Sequence, residues 1–150
     1  MSGRAVEILL VEDDPRDVQL IFRELAEIRD KVKVARDGQE ALDFIFSSRA
    51  EGERSAPQQL KVIFLDLKLP KIDGLEVLRA IKADEETRAI PVVVLTSSKE
   101  ERDIVASYKL GANSFVQKPV SFERFRQALQ ALGLYWLDLN QPPPQAFVRS

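Results

Sequence analysis

Apolar residues in this chain fall into short continuous runs, separated by stretches where they recur every three or four positions. Val6 to Val11, Lys61 to Asp66 and Pro91 to Leu95 are such runs, and within VIFLD and VVVLT nothing polar alternates with the apolar side chains. Runs of this length read as strands covered on both faces. Lys31 to Ala35 (Lys-Val-Lys-Val-Ala) does alternate, which predicts a half-exposed or edge strand, and Asn113 to Gln117 gives a fifth. The helical spacing starts behind Asp14-Pro15, a capping acid followed by a residue suited to a first helical turn, and continues through Val18, Ile21, Phe22, Leu25 and Ile28. Gln39 to Phe46 follows the Asp37-Gly38 turn as a second helix. Leu75, Leu78 and Ile81 mark a third behind the Asp73-Gly74 turn. Glu100 to Leu110 is a fourth, closed by Gly111. Ser121 caps a fifth, whose stripe runs Phe122, Phe125, Leu129, Leu132 and Trp136. Ser47 to Gln59 is polar, holds Gly52 and Pro57, and is expected to be a long surface loop.

Strands alternating with helices predict an α/β fold: a five-stranded parallel sheet with helices on both faces. In an open sheet of that kind the ligand site lies beyond the carboxyl ends of the strands. Four groups of chemically capable residues fall at such ends: Glu12-Asp13-Asp14, Asp66, Thr96-Ser97 and Lys118-Pro119. Burying a carboxylate such as Asp66 at a strand end is costly unless something pairs with it.

Composition narrows the chemistry. The 150 residues include no cysteine and no histidine. Thiol chemistry is excluded, and so are the commonest general base and the commonest transition-metal ligand. A metal site must therefore be built from oxygen, pointing to Mg²⁺, Ca²⁺ or Mn²⁺. The net charge of −2, with both signs interspersed, offers no basic face for a nucleic acid. No apolar run approaches the roughly 20 residues needed to span a bilayer, and the N-terminus lacks the form of a signal peptide. A cytoplasmic protein is expected, as one domain.

Glu12, Asp13 and Asp66 offer oxygen ligands to a hard divalent cation. With that cation present, Asp66 is a candidate carboxylate nucleophile toward a phosphoryl group. Thr96 and Lys118 are then candidates to neutralise the transferred oxygens.

These stretches, ILLVEDDP (8–15), VIFLDLKLPKIDGLEVL (62–78), IPVVVLTSSK (90–99) and GANSFVQKPV (111–120), resemble the receiver domain of two-component response regulators, in family order. The resemblance covers about residues 5 to 132. It implies the flavodoxin-like (βα)5 receiver fold and a receiver domain over 1–132. It makes Asp66 the phospho-acceptor for a phosphohistidine of a sensor histidine kinase, with Mg²⁺ as cofactor and Mn²⁺ an acceptable substitute. Asp13 matches the direct metal ligand, Glu12 a ligand acting through water, and the backbone carbonyl of Lys68 a further ligand. Asp14 is a third acid, either a ligand or simply the cap of the first helix. Thr96 and Lys118 match the residues that sense the phosphoryl group. Phe115 matches the aromatic switch position, and Pro119 a Lys–Pro bond that is usually cis in the family. The expected product is a phospho-acceptor that switches the face formed by helix four, strand five and helix five, rather than a turnover enzyme.

Residues 133–150 form a C-terminal extension that continues the fifth helical stripe through Leu134, Tyr135, Trp136 and Leu137 before Pro142-Pro143-Pro144. No output domain fits in it, so a single-domain regulator is expected. Tyr135 and Trp136 suit either an interface or a segment folded back on its own domain. The polar loop, the LTSS stretch and the GLYWLDLNQPPP segment resemble the single-domain regulators paired with bacterial phytochrome-type histidine kinases. That likeness implies a homodimer helped by the tail. Two other readings stand beside these. One is an Asp-nucleophile phosphohydrolase, which would usually carry a second acid at the position of Lys68. The other is an interaction module independent of phosphorylation.

Overall fold

The computed structural model describes residues 6–50 and 60–144, the side chains of 47–50 excepted. Its strands are β1 (Ile8–Val11), β2 (Val32–Ala35), β3 (Val62–Leu65), β4 (Val92–Thr96) and β5 (Ser114–Gln117). They form one parallel sheet in the order β2-β1-β3-β4-β5. Ile8 lies between Val32 and Val62, and Val94 lies between Leu65 and Phe115. All residues of β1, β3 and β4 are buried, as their unbroken apolar runs require. Strand β2 carries the Val-Lys-Val alternation and is one edge; β5 is the other. The charged Lys33 side chain suits an edge, where it discourages pairing with another chain.

The helices are α1 (Pro15–Glu24), α2 (Gly38–Ala50), α3 (Gly74–Ala83), α4 (Glu101–Leu110) and α5 (Phe122–Gly133). A 3₁₀ segment, Ala26–Lys31, links α1 to β2. Two cores result, one on each face of the sheet. Alternate strand residues Ile8, Leu10, Val62, Phe64, Val93 and Leu95 pack with Val18, Ile21 and Leu25 of the α1 segment and with Phe125 and Leu129 of α5. Their neighbours Leu9, Val11, Ile63, Leu65, Val92 and Val94 pack on the other face with Ala41 and Ile45 of α2 and Val77, Leu78 and Ile81 of α3. The two-residue period of the strands assigns each side chain to its layer.

Local chemistry sets the helix starts. Asp14 accepts from the Arg16 amide, Asp73 from Leu75 and Glu76, and Ser121 from Arg124. Each satisfies an amide that has no partner inside its helix. At its other end α4 closes on Gly111, whose φ of 108° is readily adopted only by glycine.

Three sequence expectations need correction. Helix α2 runs on to Ala50, so the predicted loop begins later than Ser47, and residues 51–59 lie outside the described residues. Serine, arginine and alanine there are polar or small without being helix breakers. The Lys118–Pro119 bond is trans, since no described peptide bond is cis. The two isomers of a bond before proline differ by only about 0.5–1 kcal/mol, so the dipeptide alone does not choose between them. The fifth helical stripe does continue past α5, with Trp136 and Leu137 packed against the core, but Leu134–Leu139 winds as a π-helical turn rather than as α-helix.

Candidate functional site

The acids collect at the carboxyl end of the sheet because β1 and β3 are neighbours. The Asp66 amide donates to the Val11 carbonyl at 3.0 Å, and the Glu12 amide to Ala35 at 3.0 Å, each carrying the ladder just past the strand end. Ligand atoms of Glu12, Asp13 and Asp66 then lie within 4.8 Å of one another. Glu12 is 1% exposed and Asp66 7%, while Asp13 is open to solvent. Three carboxylates this close repel one another, and an all-oxygen donor set of this kind fits a hard divalent cation. Asp14 stands apart. Its carboxylate is spent on capping α1 and on the Arg16 side chain, and its amide donates to Glu12 Oε2 at 3.1 Å.

One cation reaches into the cluster. The backbone of Lys118, just past β5, is tied to the Thr96 carbonyl at 2.7 Å. Its ammonium donates to Glu12 Oε1 at 2.6 Å and to Asp17 Oδ2 at 2.7 Å, and stands 3.5 Å from Asp66 Oδ2. Burial works against the ammonium, but the bonds from Asp17 and Glu12 and the nearby Asp66 charge outweigh it and hold its pKa above that of an ordinary lysine. Burial pushes the Glu12 carboxyl up to about 7, with the Lys118 ammonium pulling the other way. Asp17 completes the set of carboxylates around the ammonium. Its only sequence signal is an acid in the first turn of a helix, which ordinarily marks nothing more than a favourable helix dipole.

Thr96 is fully buried at the end of β4, and its hydroxyl oxygen accepts from the Ser98 amide at 3.3 Å. Ser98 in turn donates to Asp103 in the first turn of α4 at 2.5 Å. Phe115 pairs with Val94 and packs, half-buried, on the α2–α3 side of the sheet. By strand period Thr96 and Phe115 therefore share a sheet face, on adjacent strands. The Lys68 amide approaches Asp66 Oδ1 at 3.4 Å and the residue is exposed. Gly74 brings α3 against this loop. A Cβ there would stand 2.3 Å from the Asp66 carbonyl oxygen and 2.5 Å from Leu67 Cα. Tyr135 and Trp136 lie away from the cluster, on the π-helical turn that follows α5.

The family model described as "Response regulator receiver domain" matches residues 8–130. The chain is 41% identical over 141 residues to the probable methanogenesis regulatory protein FilR2 of Methanothrix harundinacea, covering 93% of this chain and 88% of that one. It is 38% identical over 133 residues to the response regulator Rcp1 of Synechocystis, covering 87% and 88%. The Mn²⁺-bound crystal structure of Rcp1 superposes with a TM-score of 0.81 over 92% of this chain and 99% of that one, at 34% identity. The phosphorylated cyanobacterial phytochrome response regulator RcpA gives 0.82 over 93% and 99%, at 36% identity.

Proposed function

The chain belongs to the response regulator receiver domain family, and on that premise we propose that Asp66 is its phospho-acceptor. Receiver domains are signalling proteins that partner with sensor histidine kinases. The observation that carries the residue assignment is the buried Asp66 carboxylate, grouped with Glu12 and Asp13 and faced by the Lys118 ammonium at 3.5 Å. An Asp66 oxygen attacks the phosphorus of a phosphohistidine. The P–N bond breaks, and the imidazole leaves with its electron pair. Glu12, Asp13, Asp66 and the Lys68 carbonyl would hold Mg²⁺, or Mn²⁺ in its place, which when bound offsets the charge gathered on the transferred oxygens. Lys118 supplies a fixed positive charge on the other side.

The new phosphoryl group adds charge and acceptor oxygens. Thr96 turns its hydroxyl toward them and gives up the Ser98 amide, and Phe115 moves into the space on their shared sheet face. The α4–β5–α5 surface then changes by a shift between two states. The partner kinase is of the phytochrome type, a reading supported by the likeness to the cyanobacterial phytochrome response regulator RcpA. The protein works as a homodimer through the same surface, assisted by Tyr135 and Trp136 of the extension. An exposed lysine at position 68, where a phosphohydrolase would carry its general acid, favours a phospho-acceptor over a turnover enzyme.

The test is transfer from an autophosphorylated phytochrome-type kinase in the presence of Mg²⁺. One phosphoryl group per chain is expected on wild type and none on Asp66→Asn. Label persisting on Asp66→Asn would overturn the assignment, and continuous turnover of a small phosphate ester would favour the hydrolase.

A further inference from the structure

We propose that Asp17 is a positioning residue for Lys118: it draws the ammonium toward α1 and so keeps the Asp66 carboxylate free to attack. The inference rests on Asp66 being the acceptor and concerns what regulates its reactivity.

Asp17 does not cap its own helix. It is the third residue of α1, where an acid commonly reaches back to the amide of the capping residue. Here that amide, on Asp14, is already taken by Glu12 Oε2 at 3.1 Å. Asp17 is thereby released from capping, and its carboxylate turns to Lys118 at 2.7 Å.

A lysine ammonium has three N–H bonds. Glu12 takes one at 2.6 Å and Asp17 a second at 2.7 Å, whereas Asp66 Oδ2 stands at 3.5 Å, outside good hydrogen-bonding distance. The lysine side chain is only 9% exposed, so water offers little competition for it. Glu12 alone does not hold the ammonium in this place, since Glu12 also belongs to the acid cluster and its other oxygen is engaged by Asp14. Asp17 lies outside that cluster and is the partner free to stay with Lys118 throughout the reaction. Remove its charge, and the ammonium keeps its bond to Glu12 while the freed N–H finds its nearest other carboxylate in Asp66. A full ion pair there would lower the nucleophilicity of the attacking oxygen and occupy the path of the incoming phosphorus.

The test uses acetyl phosphate as donor, so that no kinase surface enters. An Asp66 oxygen attacks phosphorus, the bond from phosphorus to the acetyl oxygen breaks, and acetate leaves. In saturating Mg²⁺, Asp17→Asn is expected to lower the limiting labelling rate roughly three- to tenfold, the scale of exchanging a charge-assisted hydrogen bond for a neutral one. The KM for acetyl phosphate should not rise, because removing an acid near the site eases entry of an anion. Asp17→Ser should behave as Asp17→Asn does, and Asp17→Glu should restore most of the rate. In a Lys118→Met background, Asp17→Asn should cost nothing further. A crystal structure of Asp17→Asn should place Nζ within about 3.0 Å of an Asp66 oxygen.

An unchanged or faster limiting rate in folded Asp17→Asn and Asp17→Ser would overturn the inference, as would an equal loss in the Lys118→Met background. Wild type that takes no label at all would instead overturn the assignment of Asp66 itself.

Discussion

At the residue scale the lysines divide sharply by environment. Lys118 is held among carboxylates, while Lys68 is exposed beside Asp66, its amide approaching the Asp66 carboxylate. A long cation at that position can lie across the phosphoryl group and obstruct an attacking water, so the phospho-form should live longer in wild type than in Lys68→Ala; equal decay of radiolabel would refute this. Lys82 is different again. Its ammonium donates to the carbonyls of Arg88 and Ile90 at 2.9 and 2.8 Å, and burial pushes its pKa down to about 8. Between about 8 and the ordinary lysine value the unfolded chain keeps a proton that the folded one has lost. Stability from this residue therefore rises with pH across that window. The stability difference between wild type and Lys82→Met, from urea titrations, should grow in favour of wild type from pH 8 to pH 10. A flat difference would mean that the carbonyls hold the ammonium at its usual pKa. Neither Lys82 nor Asp17 was legible in the sequence. Both roles depend on which loop or helix lies opposite, and a polar residue on a helix carries no periodic signal to reveal that. Asp66, Glu12 and Lys118 were legible because each ends an apolar run, and a parallel sheet brings such ends together.

At the element scale the three buried strands and the caps at Asp14, Asp73 and Ser121 follow directly from local pattern. Unbroken apolar runs and side-chain oxygens at helix starts need no tertiary information. The end of α2 and the trans bond before Pro119 do need it, because polar helix formers and a near-balanced peptide bond leave local preference undecided. The Asp73-Gly74 pair contains more than a turn. Gly74 donates its amide to the Leu67 carbonyl at 2.8 Å, and its hydrogen is all that separates α3 from the Asp66–Leu67 backbone. In Gly74→Ala the new methyl group must push that loop aside. Overpacking of this kind costs about 1–3 kcal/mol, and more where the obstruction is backbone. The variant should lose at least that much stability in urea titration and also label more slowly on Asp66, since the displaced loop carries the proposed acceptor. Loss of stability with full labelling would show that the loop tolerates the shift. Ser121→Ala, by contrast, should cost about 1 kcal/mol through the lost cap and leave labelling intact.

At the scale of the whole molecule the extension after α5 both covers the domain and presents new surface. Trp136 and Leu137 pack against the α1–α5 core, and the Leu137 carbonyl accepts from Lys61 at 3.4 Å. Leu134, Tyr135 and Leu139 remain 54%, 47% and 60% exposed, as do Val105 and Tyr108 on α4 and Val120 and Phe122 at the start of α5. The sequence left open whether the aromatic pair folds back or meets a partner. The ring planes of Tyr135 and Trp136 stand at 89° with centroids 4.9 Å apart, so an inward Trp136 steadies an outward Tyr135, and the two readings are compatible. Truncation after Leu132 is then a blunt test of dimerisation, because it uncovers the core around Phe125 and Leu129 together with any interface. Point substitutions separate the two roles. Trp136→Ala should cost roughly 2–3 kcal/mol, below the range for a fully buried aromatic because the ring is only half-buried. Tyr135→Asp combined with Leu139→Asp should leave the stability of the isolated chain within about 0.5 kcal/mol of wild type, as exposed positions do. If the tail drives association, that pair converts a dimer to a monomer in sedimentation equilibrium, and its melting curve no longer shifts with protein concentration. A dimer that persists would assign association to the α4–β5–α5 surface alone, where Tyr108→Asp becomes the substitution that dissociates it.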